Sequence, residues 1–430
     1  MNNTSIEWTD VTLNPIKGCT DATYKDGTPR RGCQNCYARR IAARLASNPT
    51  QKKYAGLALF DADKVPKWTG QLVFDGAELD KLRKLKVPKQ IFIESMGDIA
   101  HDDVPWHWYE QIFEALIDVQ PVGHAFYLLS KRPARQAELL VAMKNRFGLQ
   151  KYWQVMKQAV VMTTLEDERA VREFLPDLMA TRAYRLGISA EPLASSISII
   201  PLFREMHPYP QAIYQLIACS VMDRPAVRAW YPKRLRMAEA RDIHESKILR
   251  AEAEARAPWL LPTEEDAGLE EMCNALLGAM SEPDRNLAHH LETDLDKGGL
   301  RIRRLSWVIT GGESGFGAMP SHPVWFRRLR DDCELLGVPF HFKHWGAWGP
   351  VSPAWEDGNN LAPLGKVLAH TEAGHRVVAI EPGGMISYDE HAEHHLEPGP
   401  EAYYMVQRPK RDNGRELDGR PWDGSPGIIG

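Results

Sequence analysis

The feature that most constrains this chain is a rhythm. Short apolar, β-branched runs recur along it, and segments of helical character separate them. The runs are Gln71–Phe74, Gln90–Glu94, Ala125–Leu129, Ala159–Thr163, Arg185–Ser189, Ser306–Thr310 and Val338–Phe342. Trp106–Asp118, Arg135–Arg146, Glu168–Ala180 and Pro323–Leu336 read as helices between them. Such alternation argues for parallel βα units, because a parallel neighbour is reached only through a crossover. The expected fold is α/β, a partial or complete parallel (β/α) barrel.

The rhythm stops between Pro201 and Gly299, which is charged, helical in character and without strand signals. Residues 201–300 are expected to form a helical insertion. Residues 1–200 then supply the N-terminal part of the barrel with a cysteine loop, and 301–348 its C-terminal part. From 349 to 430 the chain reads as an irregular wrap with one small hairpin, HRVVAIEPGGMISY. A length of 430 residues accommodates this plan. A net charge of −4 excludes a basic nucleic-acid coat, though not local basic patches. No apolar stretch has the length of a membrane span, and the N-terminus lacks a basic segment followed by an apolar run. A cytoplasmic protein without a membrane partner is expected.

In parallel βα folds, ligands bind at the carboxyl ends of the strands. Here those ends are polar: Glu94-Ser95-Met96-Gly97-Asp98, Ser130-Lys131-Arg132, Thr164-Leu165-Glu166, Ser189-Ala190-Glu191, Gly311-Gly312-Glu313 and Lys343-His344. One such cluster is ordinary loop chemistry. Six in register point to one shared site.

Three of the six cysteines, Cys19, Cys33 and Cys36, crowd the N-terminus. Cys219, Cys273 and Cys333 lie in helical sequence and read as core. Cys33-Gln34-Asn35-Cys36 runs straight into the helix-like YARRIAARL. Such pairs serve thioredoxins, zinc sites and iron–sulfur clusters. Thioredoxin chemistry has no use for Cys19. Zinc needs a fourth ligand, and His101 is a candidate. A 4Fe–4S cluster held by three cysteines leaves one iron open, the geometry that binds S-adenosylmethionine. The cysteine count together with the barrel rhythm favours the cluster.

The anchors IEWTD, GCQNCYA, FIESMGDIAHDDVP, LLSKRPAR, ISAEPL, WVITGGESGFGAMPSHPVW, VPFHFKHWGAW and LDGRPWDG resemble a phage and prophage family mostly without an assigned function. That family is similar in outline to radical S-adenosylmethionine (radical SAM) enzymes related to spore photoproduct lyase. The resemblance implies a TIM-like barrel of the radical SAM type, and Cys19, Cys33 and Cys36 as cluster ligands. It places Ser95 and Asp98 at the methionyl amine, Ser130 and Lys131 at the carboxylate or ribose, and Glu191 at ribose hydroxyls. Gly311, Gly312 and Glu313 resemble an amine-binding Gly-Gly-Glu, with a tight turn as the alternative. The sequence departs from the usual CxxxCxxC in its long first loop, Thr20–Gly32, where Lys25, Arg30 and Arg31 could meet a phosphate or face solvent.

Basic clusters at Arg30-Arg31, Arg39-Arg40, Lys81–Lys89, Lys131-Arg132, Arg301-Arg303-Arg304 and Arg327-Arg328-Arg330 mingle with tryptophans. A nucleic-acid substrate needs phosphate contacts and stacking platforms of this kind, although each cluster alone is more often a solvated face. The resemblance implies DNA, a modified thymine, as substrate. It also implies an isomerase-type rearrangement and an electron donor such as flavodoxin. A small molecule or peptide as substrate, and a zinc-stabilised nucleic-acid-binding protein without activity, are the alternatives.

Overall fold

The computed structural model describes residues 2–4, 6–181, 183–199, 305–315, 317–351, 364–389, 398–399 and 401–428. The expected insertion, the basic run at 301–304, Cys219 and Cys273 lie outside them. The sheets and the site belong to one compact unit, Met1–Ser198, Arg303–Glu334 and Val338–Gly430.

The main sheet has eight strands: β1 (Asn2–Asn3), β2 (Val11–Leu13), β3 (Gln90–Ile93), β4 (Ala125–Ser130), β5 (Ala159–Thr164), β6 (Leu186–Ala190), β7 (Leu305–Thr310) and β8 (Phe340–Phe342). Each strand pairs with the next in sequence. All of these pairings are parallel except that of β1 on β2. The α-helices among the described residues are α1 (Arg31–Gln34), α2 (Tyr37–Ala46), α3 (Ala77–Arg83), α4 (Trp106–Val119), α5 (Pro133–Phe147), α6 (Leu149–Met156), α7 (Glu168–Ala180), α8 (Pro323–Leu336), α9 (Leu364–Glu372) and α10 (Lys410–Asn413). Local chemistry sets their ends. Pro133 opens α5 where no amide donor is needed, and Gly148 at φ 83° ends it. Asp167 caps α7 by accepting from the Ala170 amide at 2.7 Å.

The strand pleat sorts side chains into two faces. Ile91, Ile93, Phe126, Leu128, Val161, Ile188 and Val308 are buried on one. Phe92, Tyr127, Met162 and Trp307 cluster on the other around Trp8. A flat sheet would hold β4 and β7 about 14 Å apart, three spacings of roughly 4.8 Å. Yet the rings of Tyr127 and Trp307 lie 5.3 Å apart, and Trp8 touches both, at 5.2 and 5.6 Å. The sheet is therefore curled into a half-barrel, with Trp8 filling its bore. Further along, the inward positions turn polar: Asn14, Glu94, Lys131, Thr164, Ser189, Glu191, Glu313 and Lys343.

Two expectations need correction. Gln71–Phe74 is not a barrel strand: Val73–Phe74 pairs antiparallel with Ile16–Lys17 in a separate ribbon. The first parallel strand is Val11–Leu13, too short to announce itself by periodicity. Nor is the tail an irregular wrap. It builds an antiparallel sheet from β9 (Trp348–Pro350), β10 (Val377–Ile380), β11 (Ile386–Asp389) and β12 (Tyr403–Gln407), in the order β9-β12-β10-β11. Val351, Val367, Val377 and Val406 form its core. The expected hairpin is β10–β11. Cys333 is fully buried in α8, as a core cysteine. Among the described residues, no helix is long and apolar enough to cross a membrane.

Candidate functional site

The polar strand ends open into a cavity of about 660 Å³, a size that suits a small-molecule or cofactor site. Cys19, Cys33 and Cys36 line it, together with Ser95, Asp98, Ser130, Lys131, Glu191, Gly312 and Glu313. Gly311 is not part of the lining.

The long loop between the first two cysteines is a small hairpin. Thr23 and Pro29 form an antiparallel bridge. The Tyr24 amide donates to the Thr28 carbonyl at 2.8 Å, and the Arg30 amide to the Ala22 carbonyl at 2.9 Å. The chain thus doubles back and brings Cys33 to the cavity beside Cys19. Arg30 pins it there. It is completely buried and forks onto Glu166, Nε to Oε1 at 3.0 Å and a terminal nitrogen to Oε2 at 2.6 Å. It also donates to the Lys131 carbonyl at 2.8 Å and lies 4.2 Å over the Phe174 ring. The Tyr24 hydroxyl donates to Asp167 at 2.6 Å. Arg30 therefore meets neither phosphate nor solvent. Burial would raise the Glu166 carboxyl, but the Arg30 charge overcomes this and holds it below its ordinary value.

The second cysteine pair is held from two strand ends. Asn35 donates through Nδ2 to Glu313 Oε1 and to the Gly317 carbonyl, both at 3.0 Å. Glu313 Oε2 accepts from the Met319 amide at 2.8 Å. The Tyr37 hydroxyl donates to the Ser95 carbonyl at 2.6 Å. Glu313 thus positions the cysteine turn instead of presenting a free carboxylate. The two glycines before it also serve packing. A Cβ on Gly312 would lie 1.9 Å from the Trp345 carbonyl oxygen, and one on Gly311 3.3 Å from that of His344. Their smallness lets two backbones cross, not a ligand approach.

Asp98 is fully engaged. One oxygen accepts from Ser130 Oγ at 2.6 Å and the Ala100 amide at 3.1 Å. The other accepts from Arg132 at 2.9 Å and the Lys131 amide at 3.2 Å. A carboxylate has about four acceptor positions, so none is left for an amine. Ser130 is spent on Asp98 and the Arg132 amide, and the Ser95 hydroxyl on Asn14 at 3.1 Å. Glu191 accepts from Lys343 at 2.8 Å and faces His344 Nε2 at 3.5 Å. Burial holds His344 down to about 4, so it is neutral at pH 7.

Among the described residues, Trp8 Nε1 and His344 Nδ1 are buried without a partner at the cavity, and Lys131 and Glu94 each keep an unpartnered ionisable group there. Lys131 has no hydrogen bond or ion pair for its ammonium among the described residues. Burial would lower its pKa, but charge on Cys33, Cys36 and Glu166 keeps it raised. Glu94, which opens the polar strand end but which the sequence reading passes over there for Ser95 and Asp98, has a left-handed backbone at φ 67°. Its Oε1 accepts from the Ile16 amide at 2.7 Å, while Oε2 is buried without a partner. Burial raises its carboxyl well above the ordinary value. Beside it, a Cβ on Gly97 would meet Ile16 O at 3.0 Å, Glu94 Oε2 at 3.1 Å and Gly18 O at 3.3 Å, a cradle of oxygens. Periodicity carries no sign of such a glutamate.

Burial raises the thiols of Cys19 and Cys33. His101 is not aimed at them: Nε2 meets Thr20 Oγ1 at 2.7 Å, and Nδ1 accepts from the Asp103 amide at 3.1 Å. Among the described residues, no three His, Cys, Asp or Glu side chains converge on a single-ion site. Several of the basic clusters are also spoken for. Arg39 pairs with Asp21, Arg132 with Asp98, and Arg327 and Arg330 with Asp418.

No curated protein and no solved structure matches the chain. A family model described as "Protein of unknown function (DUF5131)" matches residues 3–426, nearly the whole sequence, and the chain belongs to that family.

Proposed function

We propose that this protein is a radical SAM enzyme, that its half-barrel is of the radical SAM type, and that Cys19, Cys33 and Cys36 hold a 4Fe–4S cluster. The observation that carries the reading is that all three cysteines line one roomy cavity at the polar strand ends of a curled parallel sheet. Three cysteine thiolates around one cavity are a donor set that a cluster takes. A zinc ion needs ligands converging on one point, whereas each thiolate of a cluster binds a different iron. When bound, such a cluster supplies the electron that cleaves the sulfonium bond of S-adenosylmethionine.

The chain's own residues then have distinct tasks. Arg30 and Glu313 hold the two ends of the cysteine loop. Glu94 and the oxygens beside Gly97 suit an ammonium group, and the unpartnered Lys131 suits a carboxylate. These replace Ser95 and Asp98 as the groups facing a methionyl amine. The apolar floor of Trp8, Phe92 and Leu129 excludes water below. For the substrate we propose a modified base in phage DNA, a thymine amino-acid adduct, rearranged by an isomerase-type reaction with electrons from a flavodoxin-like donor.

The test is anaerobic reconstitution with iron and sulfide. It is followed by addition of S-adenosylmethionine and phage-type modified DNA, and then by nucleoside mass analysis. Expected are ~4 irons per chain, cluster absorbance, 5′-deoxyadenosine and an altered nucleoside. Serine at Cys19, Cys33 or Cys36 should abolish all of them. One zinc with no iron overturns the reading. Turnover of a free nucleoside or peptide but not of DNA overturns the substrate alone.

A further inference from the structure

The mouth of the cavity has a lip that the cysteine site does not explain. Tyr37, Ile41 and Leu45 lie at successive fourth positions of α2, on one stripe of the helix. All three line the cavity, yet Tyr37 is 54% and Ile41 39% exposed. The face of α2 packed into the core is a different one, centred on Ala42 and Ala43. A single exposed apolar side chain is unremarkable. A stripe of three that continues into a cavity is an apolar surface about 12 Å long, eight steps of ~1.5 Å. Tyr37 is held by its hydroxyl on the Ser95 carbonyl and stays more than half exposed, as a stacking platform requires.

Charge narrows the occupant. Helix α2 carries three arginines, Arg39, Arg40 and Arg44, and no acidic residue. Arg39 is taken by Asp21, and Arg40 is also engaged within the protein. Arg44 is exposed and has no ion pair among the described residues. An apolar ledge beside the Arg44 guanidinium matches a ligand with aromatic rings and anionic links. An acidic electron-donor protein satisfies Arg44, but it has no use for an apolar stripe that descends to the cysteines.

We propose that this lip binds single-stranded DNA, with an unpaired base stacked on Tyr37 at the cavity entrance and a backbone phosphate against Arg44. The inference rests on the reading of DNA as substrate but requires neither iron nor S-adenosylmethionine. It also implies that a target base in a duplex must leave its stack before reaching the cysteines.

The experiment is fluorescence anisotropy of a labelled 12-mer oligothymidylate with the full chain free of iron, compared with a duplex of the same sequence. The single strand should bind more tightly than the duplex. Tyr37→Ala should weaken it about tenfold, as for loss of one stacking platform, while Tyr37→Phe stays within about twofold. Ile41→Ser should weaken binding without touching the Tyr37 hydroxyl. Arg44→Glu should weaken it and flatten its salt dependence, by roughly 0.7 in log–log slope for one lost phosphate contact. Thermal melts of the same variants show whether the fold is kept. Duplex preferred over the strand, or variants that bind like wild type, overturns the proposal. Loss of flavodoxin binding in Arg44→Glu with oligonucleotide binding unchanged overturns it too and gives the surface to the electron donor. Cluster assembly and 5′-deoxyadenosine formation that persist under any of these results leave the cofactor reading standing.

Discussion

Arg30 and Glu166 are both wholly buried and 136 positions apart in the chain. Leaving one of two buried charges uncompensated costs about 3–5 kcal/mol, while replacing both by apolar groups costs far less. Arg30→Met should therefore destabilise by about that amount in urea unfolding, and Arg30→Met with Glu166→Leu should recover much of it. The pair also sets an acid limit. Because the folded pKa of Glu166 lies below its unfolded value, its contribution is complete above the usual carboxylate range, near 4.3. It is lost as pH falls through the depressed folded value. Glu166→Gln should accordingly flatten the fall in urea midpoint on acidification. Glu94 behaves oppositely. Its folded pKa is raised, so its contribution is full below the unfolded value and is lost as pH rises toward the folded one. Glu94→Gln should match wild type near pH 4 and exceed it at pH 8 by about 1 kcal/mol or more, a shift of one pKa unit being ~1.4 kcal/mol. Urea midpoints at the two pH values check this.

At the scale of elements, the crossing of the β7 and β8 ends admits no side chain. Gly312→Ala places a methyl 1.9 Å from a carbonyl oxygen that is itself backbone. It should cost more than about 4 kcal/mol or prevent folding, whereas Gly383→Ala, with open space around it, should stay within roughly 0.5 kcal/mol in thermal unfolding. The rhythm of strands and helices was legible in the sequence because buried parallel strands are apolar on both faces and end abruptly in polar residues. Their shared site was legible for the same reason. Val11–Leu13 and Val73–Phe74 could not be sorted, since a short apolar run does not name its partner. Residue types at the site were readable, but their pairings were not. Asp98 has the chemistry of an amine acceptor, and only the fold shows its four donors. Arg30 reads as a loop cation, and only the return of the hairpin shows Glu166 beneath it.

For the whole molecule, an open half-barrel leaves two edges to manage. The antiparallel β1 covers β2. On the far side, the Phe342 amide donates to the Trp422 carbonyl and the Gly424 amide to the Phe340 carbonyl, each at 2.9 Å, so the C-terminal segment straps β8. Trp307 Nε1 donates to the Gly424 carbonyl at 2.6 Å. Truncation before Arg420 should uncover the β8 edge and produce self-association, visible in size-exclusion profiles. The strand order has a further outcome in time. Adjacent strands β4 and β5 meet across 33 positions, but Ala190 on β6 and Thr310 on β7 meet across 120. The longer closure adds only about 1 kcal/mol of chain entropy, but on the ribosome it adds delay. At ~5–20 residues per second, roughly 6–24 s pass between synthesis of β6 and of the strand that covers it. Nascent chains stalled just after β6 should carry a naked parallel edge and be held by chaperones, and chains stalled after β8 should not, as crosslinking of arrested ribosome complexes would record.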